Sequence, residues 1–231
     1  EGEYFKNQID DIIQSYPEES ICSMLNSLDT HDIVRALTII GGKWMRHDYK
    51  EIWKIDEYPS RWHKNVNGKI IFETDEFRKE EAQNDKLRPV EYRIAKEKLK
   101  IAALLQYVLP GNPCIYYGTE IGMHGYKDPF NRKCFEWNKI DKTLLRYYIK
   151  LGKFRKNNKS QLSNSKTEIY YVDESILYLI RNNLLIIINA SNSLKKINVP
   201  EEFIKGEKIF EVKKQENLET ILPLNGIVLK K

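Results

Sequence analysis

Leu109-Pro110-Gly111-Asn112-Pro113-Cys114-Ile115-Tyr116-Tyr117-Gly118-Thr119-Glu120-Ile121-Gly122-Met123 is the stretch that decides how this chain is read. Residues 114–117 form a short continuous apolar run between glycines, the pattern of a strand buried in a parallel sheet. Just before it, residues 89–109 follow a helical period, with Ile101, Leu104, Leu105 and Val108 on one face. Upstream lies a second segment, Ser27-Leu28-Asp29-Thr30-His31-Asp32-Ile33-Val34-Arg35. Its His-Asp pair falls in a loop after residues 21–28, which read as a short buried strand. A helical pattern then runs over residues 32–40 until Gly41-Gly42 stops it. Strand, polar loop and helix is the layout that presents side chains at the C-terminal face of a (β/α)8 barrel, where active sites sit.

Outward from these segments, the chain divides by period. Residues 4–15 carry Tyr4, Phe5, Ile9, Ile12 and Ile13 at helical spacing, and Tyr16-Pro17 ends that helix. Residues 43–88 are polar and aromatic, with Trp44, Trp53 and Trp62; a hairpin is predicted around Asn67-Gly68. The tryptophans argue against disorder there, and they suit either stacking on a flat apolar ligand face or pinning the loop. Residues 141–156 are a second amphipathic helix, and residues 157–165 a polar linker. After it the period changes to 2 over residues 169–172, 176–181, 184–189, 197–199, 208–212 and 226–229. Short strands separated by Asn, Ser, Asp and Gly turns predict an antiparallel sandwich.

The bulk numbers set limits. The 231 residues are 41% hydrophobic and 11% aromatic, enough to bury a core, and 31% charged with a net charge of +5. Mean hydropathy is -0.58, and no apolar run approaches the roughly 20 residues that span a bilayer. The excess lysines are scattered among acids rather than gathered in a stripe, which argues against a nucleic-acid partner. Residues 1–6 have neither a basic start nor an apolar core and do not read as a signal peptide. Cys22, Cys114 and Cys134 are odd in number and lack CxxC spacing. They predict buried free thiols in a reducing, cytoplasmic setting rather than a disulfide framework or a metal site. No cofactor is expected.

The residues from Leu25 to Arg35 resemble the fourth conserved segment of glycoside hydrolase family 13, the α-amylase family, which ends in His-Asp with Arg three residues later. Leu109 to Met123 resembles that family's eighth barrel strand, LPGxPCIYYGDEIGM. Lys127-Asp128-Pro129-Phe130-Asn131-Arg132-Lys133-Cys134-Phe135-Glu136-Trp137 is similar to the DPxNRxPxPW stretch of its maltodextrin-active members. The resemblance implies an α/β part followed by an all-β part. The first is strands 7–8 and helices 6–8 of a (β/α)8 TIM barrel over residues 1–158, with an insertion at 43–88. The second is an antiparallel β-sandwich over residues 159–231. It further implies that Asp32 is the catalytic carboxylate that stabilises the transition state, that His31 binds the same sugar, and that Arg132 and Asp128 lie toward the acceptor. The family pattern has Asp where this chain has Thr119, which removes any polar contact made by that Asp. The expected substrates are α-glucan oligosaccharides of maltodextrin, starch or cyclodextrin type, and the nearest family members in pattern are cyclomaltodextrinase and neopullulanase.

A retaining glycosidase needs a nucleophile and an acid/base about 5–5.5 Å apart. The family's nucleophile pattern, GxRxD, and its first segment, DxxxNH, occur nowhere in the chain. The expectation is therefore a C-terminal part of a retaining enzyme, inactive alone. It would need the missing barrel part as partner, or would self-associate through open barrel edges. Three competing readings stand beside it: a metal-dependent phosphohydrolase on His31 and Asp32, which would demand further His or Asp ligands nearby; a non-catalytic carbohydrate-binding or interaction module; and a degenerate pseudo-enzyme. The plain reading of Asp32 is a helix cap.

Overall fold

The computed structural model describes residues 2–41, 62–64, 70–72, 86–126, 129–164, 166–173 and 175–231. They fall into two compact units. The first comprises Glu1–Leu28, Glu97–Ile115 and Lys142–Lys231, and the second Asp29–Lys96 and Tyr116–Asp141.

In the first unit, α1 (Gly2–Ser15) ends before Pro17, as its spacing predicts. Residues 21–23 are not strand. They complete a short helix α2 (Glu18–Ser23), whose first turn carries Glu18 and Glu19 at the positive end of the helix dipole. A short apolar run does not by itself separate strand from helix. The strand β1 is only Leu25–Ser27, with Leu25 69% exposed, so it is neither long nor buried. It pairs in parallel with β4 (Asn112–Cys114), Leu25 opposite Asn112 and Ser27 opposite Cys114. The apolar residues 115–117, expected in that strand, lie beyond its end. Side-chain amides stitch the short ladder: Gln106 Nε2 donates to the carbonyls of Asn26 and Cys114, both at 2.8 Å, and Asn26 Nδ2 donates to Pro110 O at 2.8 Å. Gln106 belongs to α4 (Pro89–Val108), a helix that runs through both units.

The first unit continues with α5 (Lys142–Asn157) and α6 (Lys159–Leu162). A five-stranded antiparallel sheet follows, built from β5 (Glu168–Asp173), β6 (Ile176–Arg181), β7 (Leu184–Asn189), β9 (Glu207–Glu211) and β11 (Asn225–Lys230), in the order β5-β6-β7-β11-β9. A two-stranded ribbon, β8 (Lys195–Lys196) with β10 (Thr220–Ile221), and the short helix α7 (Glu201–Ile204) complete it. Residues 197–199, expected as strand, are not; the ribbon lies just before them and pairs with residues that sequence did not flag.

The sheet departs from the predicted alternation, since β7 is buried at all six positions. Both faces are covered. On one, Ile176, Tyr178, Leu185, Ile187, Ile227 and Leu229 pack with Phe203 of α7 and Ile221 of β10. On the other, Phe210 meets the rings of Tyr147 and Phe154 of α5 at centroid distances of 6.1 and 5.0 Å. Gly226 lies so close to α4 that a Cβ there would stand 2.6 Å from Leu104 Cδ2. Arg181, fully buried at the end of β6, donates to the carbonyls of Val108, Leu162, Asn164 and Lys166. Burial pushes its guanidinium down to about 10.

The second unit holds α3 (Ala36–Ile40), the first turns of α4, and a strand pair, β2 (Trp62–Lys64) with β3 (Ile70–Phe72). The pair is antiparallel with Trp62 opposite Phe72, so the hairpin expected around Asn67-Gly68 is present, while its loop lies outside the described residues. Two short 3-10 turns follow, Thr119–Ile121 and Phe130–Arg132. Gly122 closes the first at φ +86, where a Cβ would also fall 2.1 Å from Tyr92 Oη; glycine alone meets both demands. Cys22, Cys114 and Cys134 are free thiols, but none is buried and Cys134 is exposed. Among the described residues no helix is long and apolar enough to cross a membrane.

Candidate active-site loop

The loop between β1 and α3 carries two kinds of residue. His31 and Asp32 project outward, their side chains 63% and 68% exposed, with His31 Nε2 3.2 Å from Asp32 Oδ1. Asp29, two residues before the pair, and Arg35, three residues after it, are buried and hold the backbone. The helix expected from residue 32 begins only at Ala36, because Arg35 stands in extended conformation at φ -59, ψ 144. The backbone N–H of Ala36 is capped from a distance by Asp29 Oδ2 at 2.9 Å. Asp32 is therefore not the helix cap: Asp29 is, and the Asp32 carboxylate stays at the surface.

Asp29 is 2% exposed. Its Oδ2 also accepts from Thr119 Oγ1 at 2.8 Å. Desolvation raises its carboxyl above the usual carboxylate range, against the lowering effect of those two hydrogen bonds and of Arg35. Thr119, where the family pattern has Asp, is thus a donor to a buried carboxylate. An Asp at position 119 would set a second carboxylate against this buried one, whereas a threonine donates to it.

Arg35 is fully buried. Its Nε donates to Asn131 O at 2.9 Å and its Nη1 to Tyr117 O at 2.8 Å, while Gly125 O accepts from its backbone N at 3.0 Å. The guanidinium lies 4.5 and 4.8 Å from the ring centroids of Tyr116 and Tyr117, within cation–π reach. These tyrosines, expected as barrel core, are an aromatic sleeve around Arg35. Tyr117 is 39% exposed and its hydroxyl donates to Lys133 O at 2.7 Å. Burial pushes the Tyr116 phenol up to about 12.

Asn131, also fully buried, brackets Asp32. Its Nδ2 donates to His31 O at 2.7 Å and to Ile33 O at 2.9 Å, the carbonyls on either side of that residue. The next residue, Arg132, donates from Nε to His31 O at 3.1 Å and sets Nη2 3.8 Å from Asp32 Oδ1. The structure thus brings His31, Asp32 and Arg132 together. Asp128, the fourth predicted site residue, lies outside the described residues, as do Trp44 and Trp53. Among the described residues no group of three or more His, Cys, Asp or Glu is gathered as metal ligands, so nothing there supports the metal-site reading.

Sequence reasoning singled out the exposed pair and not its anchors. Asp29 lay inside the quoted motif, and Thr119 was visible as a departure. Asn131 is the Asn of the quoted DPxNRxPxPW stretch, but nothing in that stretch ties it to the His31–Asp32 loop a hundred residues upstream.

The family model described as "Alpha amylase, catalytic domain" matches residues 48–190. The chain belongs to the alpha-amylase family. The matched span begins downstream of His31 and Asp32. Among curated relatives, the amylopullulanase of Thermoanaerobacter thermohydrosulfuricus is 30% identical over 80% of this chain and 10% of its own length. The cyclomaltodextrinase of Geobacillus thermopakistaniensis is 26% identical over 97% of this chain and 32% of its own. The chain thus spans between a tenth and a third of these relatives. Among solved structures, the debranching enzyme of Nostoc punctiforme superposes on the whole of this alpha-amylase family chain and 38% of its own, with a TM-score of 0.64 at 20% identity. At that identity the likeness is one of fold.

Proposed function

We propose that this chain supplies the transition-state-stabilising part of a retaining α-glucan glycosidase site. In this reading Asp32 grips sugar hydroxyls and favours the positively charged, distorted ring formed as the glycosidic bond breaks. His31 donates to the same sugar, and Arg132, with Asp128, faces the acceptor side. Such contacts strengthen in the transition state, so they raise turnover rather than merely tighten binding. The observation that carries the reading is the division within the loop: an exposed Asp32 carboxylate on a backbone held by the buried side chains of Asp29, Arg35 and Asn131. A carboxylate that served only to cap α3 would be where Asp29 is. The names of the relatives, amylopullulanase and cyclomaltodextrinase, support α-glucans as the substrate class.

The GxRxD pattern of the family's nucleophile, and its first segment DxxxNH, occur nowhere in this chain. In this reading the nucleophile and acid/base come from outside it, and the chain alone does not turn over maltodextrin. The test is Asp32→Asn in the enzyme assembled with those carboxylates. Turnover of maltodextrin falls by on the order of 10³ or more, the scale of a lost electrostatic stabiliser, while the melting temperature stays where it was. Survival of turnover in Asp32→Asn, or brisk hydrolysis by the chain alone, overturns the assignment.

A further inference from the structure

Trp137 is the most exposed large apolar side chain among the described residues, at 75%. Tryptophan is the amino acid with the most apolar surface to hide, so this exposure needs a reason. Nothing about the position suggests an untethered side chain. The Trp137 ring lies against Phe135 with centroids 4.5 Å apart and planes at 53°. Its backbone N–H donates to Phe135 O at 3.1 Å, closing a tight turn, and Lys139 N donates to Glu136 O at 2.9 Å, closing the next. Trp137 is thus carried on two consecutive turns, with the Phe135 ring beside its indole and most of its surface in water.

The residues around it say what it fits. Glu136, Asn138 and Lys139 adjoin Trp137 in the sequence, and Glu136 Oε1 pairs with Lys139 Nζ at 3.2 Å. A protein partner would ask for an apolar area that continues outward. An exposed aromatic face, backed by one ring and carried in a polar stretch of chain, suits a neutral ligand with one apolar face and a rim of hydroxyls, which is a pyranose ring. The platform lies in the same unit as His31 and Asp32, five residues after Arg132 in the chain.

We propose that Trp137, backed by Phe135, is a stacking platform for a glucose unit of an α-glucan oligosaccharide, a binding position separate from the transition-state contact of Asp32. The proposal rests on the α-glucan reading above and gives it a site that can be measured without turnover.

The experiment titrates this chain with maltohexaose and follows binding by ligand-observed NMR, with cellohexaose as the β-linked control. The native chain binds maltohexaose and Trp137→Phe retains most of that affinity, because a flat ring is kept. Trp137→Ala weakens it by about tenfold or more, which corresponds to roughly 1.4 kcal/mol. The melting temperature of Trp137→Ala stays close to native, because so exposed a ring contributes little to the core. Absence of maltohexaose binding by the native chain, unchanged binding by Trp137→Ala, or equal binding of cellohexaose each overturns the platform. None of these outcomes bears on Asp32, whose assignment is read out as turnover of the assembled enzyme.

Discussion

The five-stranded sheet and the His31–Asp32 loop are both well ordered by their surroundings, but by opposite means. The sheet buries side chains on both faces, so the five apolar residues of β7, Leu184 to Ile188, face two different neighbours, and that order comes from many weak, interchangeable contacts. The loop keeps its two forward residues in water and is held from behind by a few polar side chains, each with a specific job. Apolar packing tolerates exchange of one hydrocarbon for another. A buried hydrogen-bond donor has no such substitute, because losing it strands its acceptors. The molecule therefore keeps its sheet cheaply variable and its loop narrowly specified, the division expected where chemistry sits on a scaffold.

Phe203→Ala breaks the sheet side of the comparison most strongly. Phe203 is fully buried between α7 and the face formed by Tyr178, Ile187 and Ile227. Its removal leaves a cavity and should cost about 3–5 kcal/mol in a denaturant melt. The exposed loop should be indifferent in kind: the mutant's remaining folded fraction should bind sugar as before.

Asn131→Leu sharpens the loop side. The branched shape is kept, with the larger volume of its methyl groups, and the carbonyls of His31 and Ile33 lose their shared donor. A cost of about 2 kcal/mol is expected, smaller than that of Phe203→Ala. What distinguishes it is location: amide exchange should accelerate across residues 30–36 and stay native in β6, β7 and β11. Uniform acceleration throughout the protein would mean that Asn131 is a general packing residue and not an anchor of the loop.

The same contrast explains what the sequence disclosed. Hydrophobic period marked α1, α4, α5 and the strands of the large sheet, because burial of apolar surface is written locally in the order of residues. It erred where apolar runs were too short to choose, as at Ile21–Ser23, and where burial on two faces erased the alternation, as in β7. The site was half legible. His31, Asp32 and Arg132 are read from the resemblance of their segments to alpha-amylase family motifs. Their anchors act across about ninety to a hundred residues of chain, Thr119 on Asp29 and Asn131 on His31 and Ile33, and no local pattern records such a pairing. Trp137 was visible as a letter of a motif, but its exposure is a property of the folded chain alone.

The smallest expected effect concerns the buried carboxyl of Asp29, and it separates two roles that the fold gives to one side chain. Asp29 caps α3 and receives Thr119, both of which favour the ionised form, yet desolvation dominates and raises its pKa above 3.8. A group with a raised carboxyl pKa binds more protons folded than unfolded in the window between its unfolded and folded values. Stability must then fall as pH rises through that window, which opens near 3.8 and closes at the folded value. Below it, both states are protonated and the site adds no pH dependence; above it, the full cost of burying the charge is present. Asn at this position keeps one acceptor for Ala36 N–H and can never ionise. The stability of the native chain minus that of Asp29→Asn should therefore decline as pH is raised from just below 4, and then level off. A difference that instead grows over the same range would mean that hydrogen bonding outweighs desolvation at Asp29, and that the carboxylate is held charged as a structural pin.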